Sequence, residues 1–132
     1  MKEKSLDDIV AQIRECKIDY QFDLIVGIAN GGIVPSYLLA HHLGKPLDFI
    51  WINFRDIDNN PQHQSPMLLK PVSFDFRNKS ILLVDDRIVT GKTFNFAIEL
   101  LNGAKNIKTF SINGKADFYL FDEECFDVPW DI

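Results

Sequence analysis

The sequence predicts an α/β fold in which helices cover both faces of a parallel sheet. The chain has 132 residues, the usual size of one domain with a single hydrophobic core. Short apolar runs bounded by turn residues alternate along it with stretches of helical periodicity. Because this alternation is typical of a parallel sheet covered by helices, we expect one domain over residues 1–132.

The first half of the chain predicts two helices and two strands. Ser5 is placed to cap a first helix. The short apolar run 22–28 predicts a buried strand. Pro35 stands where the first turn of a second helix tolerates proline, and Gly44 is a natural end for that helix. Residues 47–54 then predict a second strand.

The second half predicts a third buried strand at 80–86, a helix at 92–102 and a fourth strand at 107–112. Gly103 is placed to end the helix, and residues 117–121 predict another short strand. In parallel sheets, ligands bind beside the carboxyl ends of the strands. The turns that follow the predicted strands are therefore the places where we expect a site.

A long segment at about 55–71 interrupts this pattern. Most of it, DIDNNPQHQSPMLLKP, has three prolines and a polar cluster but no periodicity. Loops of this length inside a compact domain are usually functional or disordered. We therefore expect a mobile loop close to the site.

Composition argues against several classes of protein. The formal net charge is -5, and no basic run offers the surface that a nucleic-acid binder needs. The chain lacks an apolar stretch of the roughly 18 residues that a membrane span needs, and its N-terminus lacks a secretory signal core. Cys16 and Cys125 form no zinc or disulfide pattern. We expect a cytoplasmic protein without nucleic-acid or membrane partners.

The most informative segment is 80–93, SILLVDDRIVTGKT. Its apolar strand delivers two adjacent carboxylates, Asp85 and Asp86, where the chain begins to turn. The residues TGKT then open a helix, whose free amides and dipole attract an anion. Gly91 lets the backbone approach a ligand closely. Carboxylates can accept hydrogen bonds from ribose hydroxyls, and free backbone amides at a helix start can bind a phosphate. Because the two lie close together here, the segment predicts a sugar-phosphate ligand.

Other interpretations of this segment are weaker. A P-loop needs glycine five positions before Gly91, where Asp86 stands. In a response-regulator receiver the acid pair belongs near the start of the domain, but roughly 80 residues precede it here. A purely structural alternative is a capped helix after a strand with solvated carboxylates. The joint occurrence of all the parts favours a ligand site.

The run ILLVDDRIVTGKT resembles the phosphoribosyl pyrophosphate (PRPP) signature of the type I phosphoribosyltransferases. The run LIVGIANGGIVPSYLLAHHLGKP resembles the first strand, the pyrophosphate loop and the following helix of that family. INFRDIDNN stands where xanthine-guanine members have their mobile catalytic loop. The tail DFYLFDEECFDVPWD resembles the base-covering hood of purine members, especially the xanthine-guanine kind. The resemblance implies a Rossmann-like sheet with a small hood at about 114–132.

The resemblance also implies an activity: a nucleobase displaces pyrophosphate from PRPP, with Mg²⁺ as cofactor. Such a glycosyltransferase serves nucleobase salvage, binds PRPP and a nucleobase or nucleoside monophosphate, and commonly forms a homodimer. Asp85 and Asp86 would be the catalytic and metal-binding pair and would hold the ribose hydroxyls. The remaining implied contacts are Val89, Thr90, Gly91, Lys92 and Thr93 for the 5-phosphate, Ala29, Asn30 and Gly31 for pyrophosphate, and Asn113, Lys115, Cys125 and Phe126 for the base.

The chain departs from the family pattern at four positions. Purine members usually have Asp where Val89 stands, and many members have Lys or Arg at Asn30. Asn113 occupies the place of a base-contacting lysine, with Lys115 close by, and Cys125 that of a stacking aromatic residue. Two alternatives therefore stay open: a non-catalytic regulatory module that binds PRPP or a nucleotide, and a structural subunit.

Overall fold

A computed structural model describes residues 2–53 and 66–131. Within these ranges the chain forms three helices and eight strands. The helices are α1 (Leu6–Glu15), α2 (Ile33–Leu43) and α3 (Lys92–Leu100). The strands are β1 (Lys2–Glu3), β2 (Leu24–Ala29), β3 (Leu47–Asn53), β4 (Met67–Leu68), β5 (Ser80–Arg87), β6 (Asn106–Asn113), β7 (Phe118–Phe121) and β8 (Phe126–Asp127).

Six of the strands form the main sheet, in the order β4-β3-β2-β5-β6-β7. Five of these strands run parallel, namely β3, β2, β5, β6 and β7. The short β4 pairs antiparallel with β3 at the edge. Strands β1 and β8 pair in a separate parallel ribbon that joins the start of the chain to its end. The predicted α/β architecture is confirmed, with a sheet dominated by parallel pairs.

The central strand β5 has helices on both of its faces. Leu82 and Val84 pack in the cluster that includes residues of α1 and α2. Ile81 and Leu83 point to the opposite face, into the cluster that includes α3. Because successive strand residues alternate between faces and both faces are covered, the strand is apolar without interruption. The prediction of helices on both faces is therefore confirmed.

The predicted helix ends agree with the structure to within about two residues. Ser5 caps α1 through a reciprocal pair: the Asp8 amide donates to Ser5 Oγ (3.1 Å), and the Ser5 amide donates to Asp8 Oδ2 (2.9 Å). The hydrogen bond from the Ser5 amide also lowers the pKa of Asp8. Gly44 ends α2 in the left-handed region, with φ of 65°.

The predicted mobile loop lies partly outside the described residues, because positions 54–65 are not among them. Its later part includes β4, where Leu68 is paired with Ile52 and Met67 with Asn53. Among the described residues, no helix is long and apolar enough to span a membrane.

Candidate functional site

The site is built where β2 and β5, adjacent parallel strands, reach their carboxyl ends. Strand β2 leads into the loop at Asn30 and Gly31, and β5 ends with Asp85 and Asp86. A Cβ atom on Gly31 would lie 2.7 Å from the carboxylate carbon and from both oxygens of Asp86. Only glycine fits there without a shift, so the loop backbone lies directly against the carboxylate.

The loop after β2 is a tight turn held by its own backbone. The Gly32 amide donates to Ile28 O (2.7 Å), and the Ile33 amide donates to Asn30 O (3.0 Å). A Cβ atom on Gly32 would lie 2.5 Å from Val84 O, so this glycine packs between β2 and β5. The peptide bond between Ala29 and Asn30 is cis. The three predicted pyrophosphate-loop residues thus lie beside the acid pair.

Asp85 and Asp86 are both half-buried. The Asp86 amide donates to Asp85 Oδ1 (2.8 Å), and Arg87 Nε lies 3.7 Å from Asp86 Oδ2. Burial raises the pKa of Asp85 well above its ordinary value, and the negative charge of Asp86 raises it further. A partly desolvated carboxylate pair of this kind is an oxygen-rich cradle for a cation or for hydroxyl donors.

The turn at residues 88–91 connects the acid pair to α3. Gly91 is the N-cap of α3, with φ of 81°, and nothing lies within 4 Å of a Cβ atom built there. Thr90 Oγ1 accepts from the Lys92 amide at 3.3 Å. Among the described residues, the amides of Val89 and Gly91 have no hydrogen-bond acceptor. The turn therefore offers backbone donors at a positive helix end, as an anion site requires.

The base-binding predictions fall on the hood, which the structure describes for residues 114–131. The side chain of Asn113, just before it, makes two hydrogen bonds with the Glu123 backbone. Lys115 Nζ lies 3.8 Å from Asp122 Oδ2 on the surface. Cys125 is exposed, whereas the Phe126 ring is buried in the core.

The structure brings most of the predicted residues together. The pyrophosphate loop, the acid pair and the turn into α3 lie at adjoining strand ends, and Asn113 O accepts from the Ile88 amide of that turn (3.0 Å). The ring of Phe126 packs edge-on against Phe121, with centroids 5.5 Å apart, so it faces the core.

Sequence reasoning missed the residues that hold the hood. Lys4 Nζ lies 3.2 Å from Glu123 Oε2 and 4.3 Å from the centroid of the Phe121 ring. The Lys4 amide also donates to Asp127 O (3.1 Å). Lys4 and Glu123 are 119 positions apart, and no periodic pattern links residues over that distance.

The comparisons with known proteins assign the chain to a family. It belongs to the phosphoribosyl transferase domain family, whose model matches residues 2–128. The solved purine phosphoribosyltransferase of Pyrococcus horikoshii Ot3 is similar to it with a TM-score of 0.78 and 30% identity, over 98% of this chain and 94% of that one. The predicted resemblance and the predicted fold are therefore confirmed.

Orotate and xanthine-guanine phosphoribosyltransferases are among the relatives that are similar in sequence. The orotate phosphoribosyltransferase of Pyrobaculum islandicum is 28% identical over 89% of this chain, which spans 54% of that protein. The xanthine-guanine phosphoribosyltransferase of Idiomarina loihiensis is 25% identical over 85% of this chain and 73% of that protein. The chain thus spans about half the length of its orotate relative.

Proposed function

We propose that this protein transfers the phosphoribosyl group of PRPP to a nucleobase and releases pyrophosphate. The observation that carries the proposal is the meeting of three groups at two adjoining strand ends. These are the glycine loop at Gly31, the carboxylates of Asp85 and Asp86, and the N-terminus of α3 at Gly91. A sugar that carries phosphates on both sides needs such an arrangement, with anion sites flanking a hydroxyl site.

In the reaction, a ring nitrogen of the base forms a bond to the anomeric carbon while the bond from that carbon to pyrophosphate breaks. The turn at residues 88–91, here called the 5-phosphate turn, holds the 5-phosphate through the amides of Val89 and Gly91. The carboxylates of Asp85 and Asp86 accept hydrogen bonds from the ribose hydroxyls. The backbone at 29–31 faces the leaving pyrophosphate. Catalysis then depends on holding the two reactants in line. Correct positioning of the reactants can remove a large part of the barrier for such reactions.

The acid pair also fits Mg²⁺, which is bound in proteins by one or two carboxylates together with substrate phosphates. Asp85 and Asp86 present oxygen ligands in a half-buried setting, and burial disfavours the ionised form of Asp85, as its raised pKa indicates. When bound, Mg²⁺ would neutralise charge on pyrophosphate as it leaves. We propose Mg²⁺ as the cofactor on this donor set.

The acceptor that we propose is a purine base, as in salvage. Val89 is 52% exposed in the 5-phosphate turn and has no group that could take a proton from the base. The chain therefore leaves the proton of the attacking nitrogen to solvent or to another group. Both orotate and xanthine-guanine enzymes are among its relatives, so a test must include pyrimidines.

Three further predictions belong to the same proposal. The hood at about 114–132 would cover the base. The protein would act in the cytoplasm as a homodimer. Sedimentation of the purified protein, with and without PRPP, tests the dimer directly.

The deciding experiment measures pyrophosphate release from PRPP with Mg²⁺ over a panel of purines and pyrimidines. We expect release with at least one base, and release with none would contradict the proposed activity. In that case, thermal stabilisation by PRPP or a nucleoside monophosphate would indicate the non-catalytic binding module. Absence of any stabilisation would indicate the structural subunit.

Val89→Asp sharpens this test, because the exposed position accepts a carboxylate at little cost in stability. We expect it to raise kcat/KM for purines by about 10-fold to 100-fold, within the usual range for one proton-transfer group. Val89→Asn is the matched control, since it has similar size but cannot accept a proton as a base. Equal effects of the two variants would exclude proton transfer as the cause.

A further inference from the structure

Asn113, the last residue of β6, holds the hood through its side-chain amide. Its Nδ2 donates to Glu123 O at 3.0 Å, and its Oδ1 accepts from the Glu123 amide at 2.9 Å. These two hydrogen bonds, here called the amide clasp, join residues that are 10 positions apart. They close the intervening segment into a loop.

The backbone beside the amide clasp contacts the turn that leads into α3. The amide of Ile88 donates to Asn113 O at 3.0 Å, and Gly114 packs so closely that a Cβ atom there would lie 3.0 Å from Ile88 O. The Gly114 amide donates to Phe121 O at 2.9 Å, and Ser111 Oγ donates to Gly114 O. The base of the hood and the start of the 5-phosphate turn are therefore one hydrogen-bonded unit.

Glu123 is held at three points. Asn113 engages its backbone amide and carbonyl, and Lys4 Nζ lies 3.2 Å from its Oε2. The next residues, Glu124 and Cys125, are exposed. Glu124 and Cys125 directly follow Glu123. The amide clasp therefore fixes the position of their exposed backbone relative to the turn at Ile88.

We propose that Asn113 is a positioning residue for the acceptor base, and that it acts by holding the hood backbone at 124–125 instead of by touching the base. The proposal rests on the proposed function. A side-chain amide offers donors and acceptors at once, so it can satisfy both groups of one peptide. Lysine or alanine at position 113 could not do so, and Glu123 would lose its partner for at least one backbone group.

The first measurement concerns the hood alone and needs no ligand. We expect Asn113→Ala to speed amide hydrogen exchange in residues 114–125 by about 10-fold, because two hydrogen bonds are lost. Asn113→Asp keeps an acceptor for the Glu123 amide but loses the donor to Glu123 O, so its effect should be intermediate. Asn102→Ala, exposed at the opposite end of the sheet, is the matched control and should leave the hood unchanged.

The second measurement separates the base from the sugar phosphate. Ribose 5-phosphate binding should change less than about 2-fold in Asn113→Ala, since the amides of the turn remain. Binding of guanosine or orotidine monophosphate, whichever the wild-type protein binds more tightly, should weaken about 10-fold or more. Asn102→Ala should bind both ligands as the wild-type protein does.

The outcomes distinguish the two proposals. Unchanged hood exchange in Asn113→Ala, or equal weakening of both ligands, overturns the positioning role while the proposed transferase activity stands. If the wild-type protein binds neither PRPP, ribose 5-phosphate nor a nucleotide, the proposed function fails and the base-positioning role fails with it. Faster hood exchange would then show that the clasp is purely structural.

Discussion

The 5-phosphate turn and the hood lie side by side at the carboxyl end of the sheet, but they are built in different ways. The turn, the acid pair before it and the start of α3 after it all come from one continuous segment, 85–93. The hood is held by groups from distant parts of the chain. Lys4 reaches Glu123 across 119 positions, and β1 pairs with β8.

This difference has a consequence for how each region responds to substitution. In the turn, Val89 and Thr90 are exposed, so a change there should act on chemistry and leave the fold intact. In the hood, side chains such as Phe126 are buried and the polar groups bond to one another. A change there should first loosen the hood and only then alter binding of the base.

The largest effect should come from Asp85→Asn. We expect kcat/KM for pyrophosphate release to fall by about 100-fold to 1000-fold, as for other losses of one preorganised electrostatic group. The unfolding free energy of the ligand-free protein should instead rise by about 0.5–2 kcal/mol, because a half-buried carboxylate with an acidic neighbour is removed. A fall in both activity and stability would contradict the expectation that changes beside the turn affect chemistry and not the fold.

The pH dependence of stability gives a second readout on Asp85. Its pKa is raised on folding, so the folded protein holds the proton more tightly than the unfolded chain does. The contribution of this group is most favourable below about pH 3.9, the ordinary Asp value, and is lost as the pH rises through the raised pKa. Denaturant titrations across this range should show the loss in the wild-type protein and a smaller loss in Asp85→Asn.

Gly31→Ala should be the next most damaging change. The added Cβ would meet the Asp86 carboxylate at 2.7 Å, so the loop or the carboxylate must move. A displacement of that size is expected to cost about 100-fold in kcat/KM. Ribose 5-phosphate should still bind within about 2-fold in equilibrium dialysis, because the amides of the turn are unchanged. Loss of ribose 5-phosphate binding would show that the two loops form a single unit.

Gly91→Ala should have a smaller effect that tests the helix N-terminus by itself. Its φ of 81° is unfavourable for alanine by about 1–2 kcal/mol, although nothing blocks the added atom. Gly44→Ala is the matched control, with φ of 65° and equally open surroundings. Both variants should lose similar stability in thermal denaturation, and ribose 5-phosphate affinity should fall, by about 10-fold, for Gly91→Ala. If Gly91→Ala bound ribose 5-phosphate as tightly as the wild-type protein does, the turn would not be part of the phosphate site.

Lys4→Met should have the smallest effect and act on the hood. The ion pair with Glu123 is partly exposed, at 19% and 38% for the two side chains, so its loss should cost at most about 1 kcal/mol of unfolding free energy. Hydrogen exchange in residues 118–127 should be faster, with ribose 5-phosphate affinity unchanged. The exposed Lys105→Met is the control for loss of a positive charge.

Much of the sheet could be predicted from local pattern. The apolar runs of β2 and β5, the Ser5 cap and the glycine that ends α2 all depend on neighbours within a few positions. The two-residue strands β1, β4 and β8 were not predicted, because such short strands have no periodicity of their own. They form where tertiary contacts bring them beside another strand.

The sequence by itself determined the strand, the acid pair and the helix start at 81–93, since these groups are consecutive and their chemistry is readable residue by residue. Tertiary structure decided the rest. It set Gly31 against Asp86 by pairing β2 with β5, and it bonded the side chain of Asn113 to the backbone of Glu123. Both results depend on contacts between residues far apart in the chain, which packing selects and local pattern does not encode.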